Sequence, residues 1–376
     1  MKGILTLLTL IIFAGCSASE PEKEIFYLGT FSDDGLFVLE FDRESGSFSE
    51  VERQSDPPNQ GFQAIHPDGD VLYSITREGL SEDDEQGSVI AYRIDPETGA
   101  LSPLNRQSSM GAGPAHVSVD PHGRFLYVSN YSAGNLASYP LAEDGRIGEA
   151  VDVVHHEGSS VNERRQRAPY VHAANPSVDG RFLYVSDLGT DKIMIYAVDG
   201  ETGELSPADT PWAEVEPGSG PRHFTFHPSQ AYAYSVDELS STVTAFRVDP
   251  ETGALDNIQR IGMLPESFSE DSWAADIHIS PNGRFLYATN RGHDSLAIYS
   301  IDPDTGFLEL IGHEPTRGGH PRNFAIDQYG EFLFMTNRDD NNLVLFKMDQ
   351  ETGLLNYTGV EVEIPLAVCV TQHILR

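Results

Sequence analysis

Apolar positions along the chain come in short runs that end on an aromatic residue and are followed, three positions later, by a small polar side chain. The aromatic anchors are Tyr27, Tyr73, Tyr127, Tyr184, Tyr234, Tyr287 and Phe334, and their partners are Thr30, Thr76, Asn130, Asp187, Asp237, Asn290 and Asn337. Runs such as Ser88-Val89-Ile90-Ala91-Tyr92, Lys192-Ile193-Met194-Ile195-Tyr196 and Asn342-Leu343-Val344-Leu345-Phe346 are short, β-branched and aromatic, which is the pattern of strands. No long amphipathic helix is predicted. Successive anchors lie 46 to 57 residues apart, the period of a four-stranded propeller blade and well above that of leucine-rich or ankyrin repeats. Each repeat also carries a tight turn ending in glycine, at Gly46, Gly99, Gly145, Gly203, Gly253, Gly306 and Gly353. Glycine supplies the positive φ such loops need, so these positions read as the outer hairpins of seven blades.

The predicted fold is therefore all-β, one seven-bladed β-propeller over residues 25–376, with no linker. Most blades open with a strand led by proline, as in Pro114-Ala115-His116, Pro221-Arg222-His223 and Pro321-Arg322-Asn323. A last copy, Pro365-Leu366-Ala367-Val368-Cys369-Val370, has no blade after it, and the first repeat lacks such a strand. The C-terminal strand is thus expected to complete the N-terminal blade, leaving no open edge between the chain ends.

Charge removes some classes of partner. With 24 Lys and Arg against 58 Asp and Glu, the formal charge is −34, a field that repels phosphate backbones, so no nucleic-acid partner is expected. So acid-rich a composition also suits a saline surrounding. The first residues read as a targeting segment: Lys2, an apolar stretch over residues 4–13, then Phe13-Ala14-Gly15-Cys16, which resembles a bacterial lipobox. The apolar stretch is too short for a lasting membrane span, which needs about 20 residues. The expectation is a lipoprotein signal peptide over residues 1–15, lipidation of Cys16, a tether over residues 16–24 and an extracytoplasmic monomer that meets a membrane only through its anchor. An ordinary secretory signal is the alternative. Cys369 is left without a disulfide partner.

In a blade the innermost strand starts where the second strand ends, so the chemistry of both collects at one mouth of the axial channel. Strand starts supply His116, His172, Arg222, His223, Asp276, Arg322 and Asn323, and strand ends supply Arg77, Asn130, Asp187, Asp237, Glu238, Asn290, Arg291 and Arg338. Guanidinium groups gathered in so acidic a chain predict an anion or oxyanion site. The bland readings are that the Asn and Asp partners merely end strands through local hydrogen bonds, and that the histidines are satisfied channel residues. Arg124, Arg181 and Arg284 belong to turns at the opposite mouth. An insertion with a basic cluster, residues 162–167, is placed to hang over the site. The chain has no Gly-x-Ser-x-Gly elbow, His-Glu-x-x-His motif, paired Cys or phosphate-cradling loop. No cofactor and no metal are expected, and hydrolysis would use water activated by a general base.

Several segments together resemble one family. They are Ala64-Ile65-His66-Pro67-Asp68-Gly69, Gly113-Pro114-Ala115-His116, Arg165-Gln166 followed by His172, Asp187-Leu188-Gly189-Thr190-Asp191, Gly220-Pro221-Arg222-His223, Glu238-Leu239-Ser240-Ser241 and Asn290-Arg291-Gly292. From residue 25 onward the chain is similar to the lactonase family of seven-bladed propellers, which includes propeller-type 6-phosphogluconolactonases and fungal carboxy-muconate cyclases. The resemblance implies hydrolysis of a small, sugar-derived lactone to its hydroxy acid, with His172, Arg222, Glu238 and Arg291 catalytic. His116, His223, Arg322, Asn130 and Arg77 are the expected substrate contacts, with Glu238 or His172 as base. Tyr170 departs from the pattern, standing where many relatives carry a second histidine. The other readings are a non-catalytic propeller that binds an anionic sugar or protein segment, and a muconate-type cycloisomerase.

Overall fold

The computed structural model describes residues 22–81 and 85–375. The expected signal peptide, Cys16 and most of the tether lie outside them. Twenty-eight strands form seven four-stranded antiparallel sheets. In the first blade, β1 (Lys23–Thr30), β2 (Leu36–Asp42) and β3 (Ser47–Gln54) follow an innermost strand from the other end of the chain, β28 (Ala367–Leu375). Strands β1 and β28 pair from Lys23 opposite Leu375 to Thr30 opposite Ala367, so the ring closes as the spare proline-led segment predicts. The fold begins at Lys23, two residues ahead of the expected boundary.

The other innermost strands are β4 (Gln60–Ile65), β8 (Pro114–Val119), β12 (Val171–Pro176), β16 (Pro221–Phe226), β20 (Trp273–Ile279) and β24 (Pro321–Ile326). Their antiparallel partners are β5 (Val71–Thr76), β9 (Phe125–Asn130), β13 (Phe182–Asp187), β17 (Tyr232–Asp237), β21 (Phe285–Arg291) and β25 (Phe332–Asn337). Apolar side chains fill the seven spaces between neighbouring sheets, one cluster to each interface. Packing between blades, not within one sheet, is thus what holds the ring.

The aromatic repeat has a specific job there. Tyr27, Tyr73, Tyr184, Tyr234 and Tyr287 are buried, and each donates its hydroxyl to the carbonyl of the turn glycine of the next blade, at 2.7 to 2.9 Å. At five junctions the aromatic marker of one repeat and the glycine marker of the next are therefore the two halves of one inter-blade rivet. The turn glycines themselves have φ between 68° and 79°, as the outer hairpins require. Ser138 takes the carbonyl of Gly203 in place of Tyr127. At the seam between first and last blades the anchor is Phe334, which has no hydroxyl to give. There it packs against Phe26 and Phe41, and Arg43 pairs with both Glu24 and Asp327 across the junction.

Six innermost strands share a register shift close to their first residue, between Gln60 and Phe62, Pro114 and His116, Val171 and Ala173, Pro221 and His223, Ala274 and Ile277, and Pro321 and Asn323. In five of them one residue is left unpaired: Gly61, Ala115, His172, Arg222 or Arg322. A bulge breaks the alternation of faces, so consecutive residues such as Arg222 and His223 both turn toward the channel.

Candidate active site

Two rings of side chains meet at the mouth where those bulges lie. One is the bulge ring, and the other is the residue directly after each small polar partner. Together they enclose a cavity of about 200 Å³ lined by Phe31, Arg77, Tyr131, Glu238 and Arg291 from strand ends and by Gly61, Ala115, His172, Arg222 and Arg322 from bulges. Small bulge residues on one side leave the room and charged ones on the other line it. At Gly61 a side chain is excluded, because a Cβ there would come within 2.4 Å of the Phe31 ring.

Glu238 is the electrostatic centre. Its carboxylate is 5% exposed and meets Arg165 at 2.5 Å, Arg291 at 2.7 Å and Arg222 at 3.3 Å. Burial alone would raise its pKa, but Arg291, Arg222 and Arg165 outweigh it and hold the group far below the usual carboxylate range. Glu238 is consequently an ionised counter-ion and a poor proton acceptor. Arg165 comes from the basic insertion, which reaches over the cavity as its position in the sequence suggests. Its neighbour Gln166 is fully buried and donates to Asp191, whose carboxylate also accepts from the backbone N–H groups of Gly218 and Gly220. Asp191 thereby ties the loop carrying Arg165 to the turn that precedes Arg222.

Arg291 is clamped by the carbonyls of Trp273 and Ala274. Arg222 donates from Nη1 to the carbonyl of Ala275, while its buried Nε makes no hydrogen bond and meets Glu238 only as the 3.3 Å ion pair. Desolvation, with Arg291 beside it, pulls the Arg222 pKa down to about 10, against the pull of Glu238 and Asp276. His172 is 4% exposed, and its Nδ1 has no partner. Burial, reinforced by Arg222 and His223, drives its pKa well below the ordinary histidine value, so at neutral pH it is an uncharged imidazole. Tyr131 stands edge-on to it and stacks on Tyr170, so Tyr170 props the cavity wall from behind. Arg77 and Arg322 flank the Phe31 ring at 4.9 and 5.2 Å and form no ion pair among the described residues.

The structure thus brings together His172, Arg222, Glu238, Arg291, His223, Arg322 and Arg77. Two expected contacts lie elsewhere. Asn130 is fully buried outside the cavity and donates to the carbonyl of Ser109; Asn290 and Asn337 make the equivalent bond to Met263 and Thr316. The strand-ending role therefore replaces substrate contact for Asn130. His116 lies off the lining, its ring against Phe62 and edge-on to His223. Arg338 pairs with Asp339 at the rim. Phe31, Tyr131 and Arg165 line the site without having been singled out as contacts; the first two occupy the same repeat position as Arg77, Glu238 and Arg291, and that equivalence is the signal that points to them. Among the described residues no three His, Cys, Asp or Glu side chains are grouped to hold a metal ion.

Comparison with known proteins agrees with the seven-bladed fold. The family model for lactonase, a seven-bladed β-propeller, matches residues 25–372. A 6-phosphogluconolactonase of Formosa agariphila is 38% identical over 311 residues, covering 80% of this chain and 86% of that one. The 6-phosphogluconolactonase of Bacillus subtilis is 36% identical over 308 residues, 81% and 85% of the two chains. Among solved structures, the periplasmic gluconolactonase of Pseudomonas aeruginosa superimposes with a TM-score of 0.88 at 30% identity, over 94% of this chain and all of that one. The chain belongs to the lactonase family of seven-bladed β-propellers.

Proposed function

We propose that the protein hydrolyses a small lactone to its hydroxy acid in the cavity centred on Glu238. One observation carries the reading: a single enclosed space holds a buried, uncharged His172 with no partner on Nδ1 beside a buried Arg222 whose Nε makes no hydrogen bond and only a long, 3.3 Å ion pair with Glu238. Orphaned buried polar atoms are costly, and here they are what a reacting ester requires. His172 accepts the proton of the attacking water. Arg222 and Arg291 face the charge that develops on the carbonyl oxygen, where one such contact is typically worth about a hundredfold or more in rate. Glu238 keeps the two guanidinium groups side by side against their mutual repulsion. Arg77 and Arg322, without carboxylate partners among the described residues, suit an anionic substituent on the lactone, and the cavity size suits a single ring.

Relatives named 6-phosphogluconolactonase and gluconolactonase support sugar lactones as the substrate class. The N-terminal pattern ending at Cys16 supports export and lipid attachment, in keeping with a relative described as periplasmic. A pH-stat assay over phosphorylated, carboxylated and neutral lactones tests the activity. Turnover that survives both His172→Ala and Glu238→Gln rejects this site, and tight binding of sugar acids with no turnover of any lactone rejects hydrolysis. Mass spectrometry of the mature N-terminus tests the anchor; an unmodified Cys16 rejects it.

A further inference from the structure

From His223 in the cavity lining a second set of titratable groups leads away from the reacting centre, and the hydrolytic scheme leaves it unused. His223 approaches Asp276 with Nδ1 at 2.6 Å from Oδ1. The other carboxylate oxygen of Asp276 lies 3.0 Å from His278 Nε2 and also accepts from the Asn323 amide and the Phe324 N–H. Asp276 is 2% exposed, and its place in the bulge of β20 is what lets it face the channel. His223 is buried too, with no partner on Nε2, and its ring stands edge-on to that of His172 with centroids 5.2 Å apart. His278 differs from both. Its side chain is 41% exposed, and it lies on β20 just before the turn at the opposite mouth. His172, His223, Asp276 and His278 therefore form a line that starts at the reacting centre and ends in water on the other side.

We propose that His223, Asp276 and His278 form a proton path that carries the acid released by each turnover away from the cavity and out through the far side of the ring. This rests on the lactonase reading. Water adds to the carbonyl carbon and its proton goes to His172; when the acyl–oxygen bond breaks, that proton passes to the leaving ring oxygen. The product acid then ionises, so lactone and water yield hydroxycarboxylate and one proton. That proton appears among five arginines and a single carboxylate already engaged by three of them, and the positive mouth opposes its exit on that side. His223 takes it on Nε2 and gives up its Nδ1 proton to Asp276. Asp276, after turning about its Cβ–Cγ bond, passes a proton to His278, which loses one to channel water.

Proton affinity rises from the first group of the path to the last, while Asp276 between them, despite its burial, is held well below the usual carboxylate range by His278 and His223, and so passes a proton on without keeping it. Burial and Arg222 hold the His223 pKa down to about 4, only partly offset by Asp276. Burial also disfavours charge on His278, but Asp276 outweighs it and raises the pKa above the ordinary value. The remaining titratable and charged groups facing the path are His116 and His172 beside His223, and Cys369, which feels both Asp276 and Arg322.

His278→Gln tests the path, because glutamine retains a donor for Asp276 and the position touches no substrate. Wild-type turnover, followed as residual lactone by hydroxamate formation so that buffer can be varied, first establishes the hydrolysis on which the path depends. The variant is expected to keep its KM and thermal midpoint and to lose about tenfold in kcat in dilute buffer, the loss being limited because channel water substitutes in part. Added imidazole should restore the rate. A variant with wild-type kcat at every buffer concentration overturns the path, as does a loss that imidazole leaves untouched. If no lactone is turned over, the nitrogen-15 titration of His223 decides independently: a protonation midpoint unmoved by His278→Gln shows that the two rings are uncoupled.

Discussion

Glu238→Gln separates the charge of the central carboxylate from its shape. In the folded protein three guanidinium groups, at 2.5, 2.7 and 3.3 Å, share two oxygens that are almost fully buried. Removing one partner of such a buried pair typically costs about 3–5 kcal/mol, because the remaining charges are left uncompensated. The Gln oxygen still accepts one N–H and the cavity admits water, so about 3 kcal/mol is expected, the low end of that range. A midpoint shift of roughly 5 °C follows, since 1 kcal/mol moves a domain of 150–250 residues by about 2–4 °C and a longer chain by less. The sign with pH is fixed by linkage. The folded pKa of Glu238 lies far below its ordinary value of 4.5, so its stabilisation is complete above that value, fades below it as acid protonates the carboxylate of the unfolded chain, and is lost once the pH falls through the folded pKa. Urea unfolding of wild type and variant, followed by tryptophan fluorescence, should therefore show a gap at pH 7 that narrows at pH 3.5. Activity adds a second test: the variant should lose about a hundredfold in kcat/KM as Arg222 and Arg291 drift out of line, while the acid limb of its pH–rate profile stays in place. Equal stability at pH 7, or a gap that does not narrow in acid, refutes the counter-ion argument. Disappearance of the acid limb makes Glu238 the base and refutes the assignment to His172.

Arg77→Ala and Arg322→Ala should each raise KM for a phosphorylated or carboxylated lactone by about tenfold, the worth of one charge-assisted contact of about 1.5 kcal/mol, and leave a neutral lactone nearly unaffected; equal losses on both in steady-state kinetics would argue against an anion subsite. Tyr234→Phe leaves the Gly306 carbonyl without its donor and should cost about 1–2 kcal/mol with unchanged kcat, read by thermal unfolding beside an activity assay. Added salt should raise the unfolding midpoint by screening the mutual repulsion of so acidic a surface, and a melting curve flat from 0.05 to about 1 M sodium chloride would refute that account of its charge.

The ring and its closure are legible in the sequence because both follow from repetition. Seven anchors, seven turn glycines and a spare proline-led strand leave little choice of architecture, and the pairing of β1 with β28 follows. The clustering of His172, Arg222, Glu238 and Arg291 at one mouth is legible for the same reason, since cyclic repetition turns equivalent sequence positions into neighbours. What could not be read is whatever depends on departure from repetition. The bulges at His172, Arg222 and Arg322 reverse the facing of one residue each, and no residue type in the segment announces a bulge. Asn130 shares its repeat position with Asp187 and Asp237, and only coordinates separate a strand-ending amide from a substrate contact. His116 and His223 are the same step of two strands, yet His223 alone meets an acidic side chain, because Asp276 enters from the bulge of β20.

The contrast between the whole chain and its cavity bears on how a lactone reaches the site. At −34 the molecule as a whole repels anions, while its mouth carries five arginines against one carboxylate. These fields act over different ranges. In physiological salt exposed charges fade over about 8 Å, so the acidic outer surface is felt only near itself, whereas the guanidinium groups act inside a partly enclosed space where screening is weak. Arg222 and Arg291 can be kept so close together only because Glu238 lies between them, and Glu238 can be kept ionised at that depth only because of the arginines. Each therefore stabilises the charged form of the others, and the whole set is carried by elements of neighbouring blades that the tyrosine rivets hold in register. The electrostatics of the site and the mechanical closure of the ring are in this sense one property: loosening the contact between the fifth and sixth blades would separate Arg291 from Glu238 and remove the reason for Arg222 to remain buried.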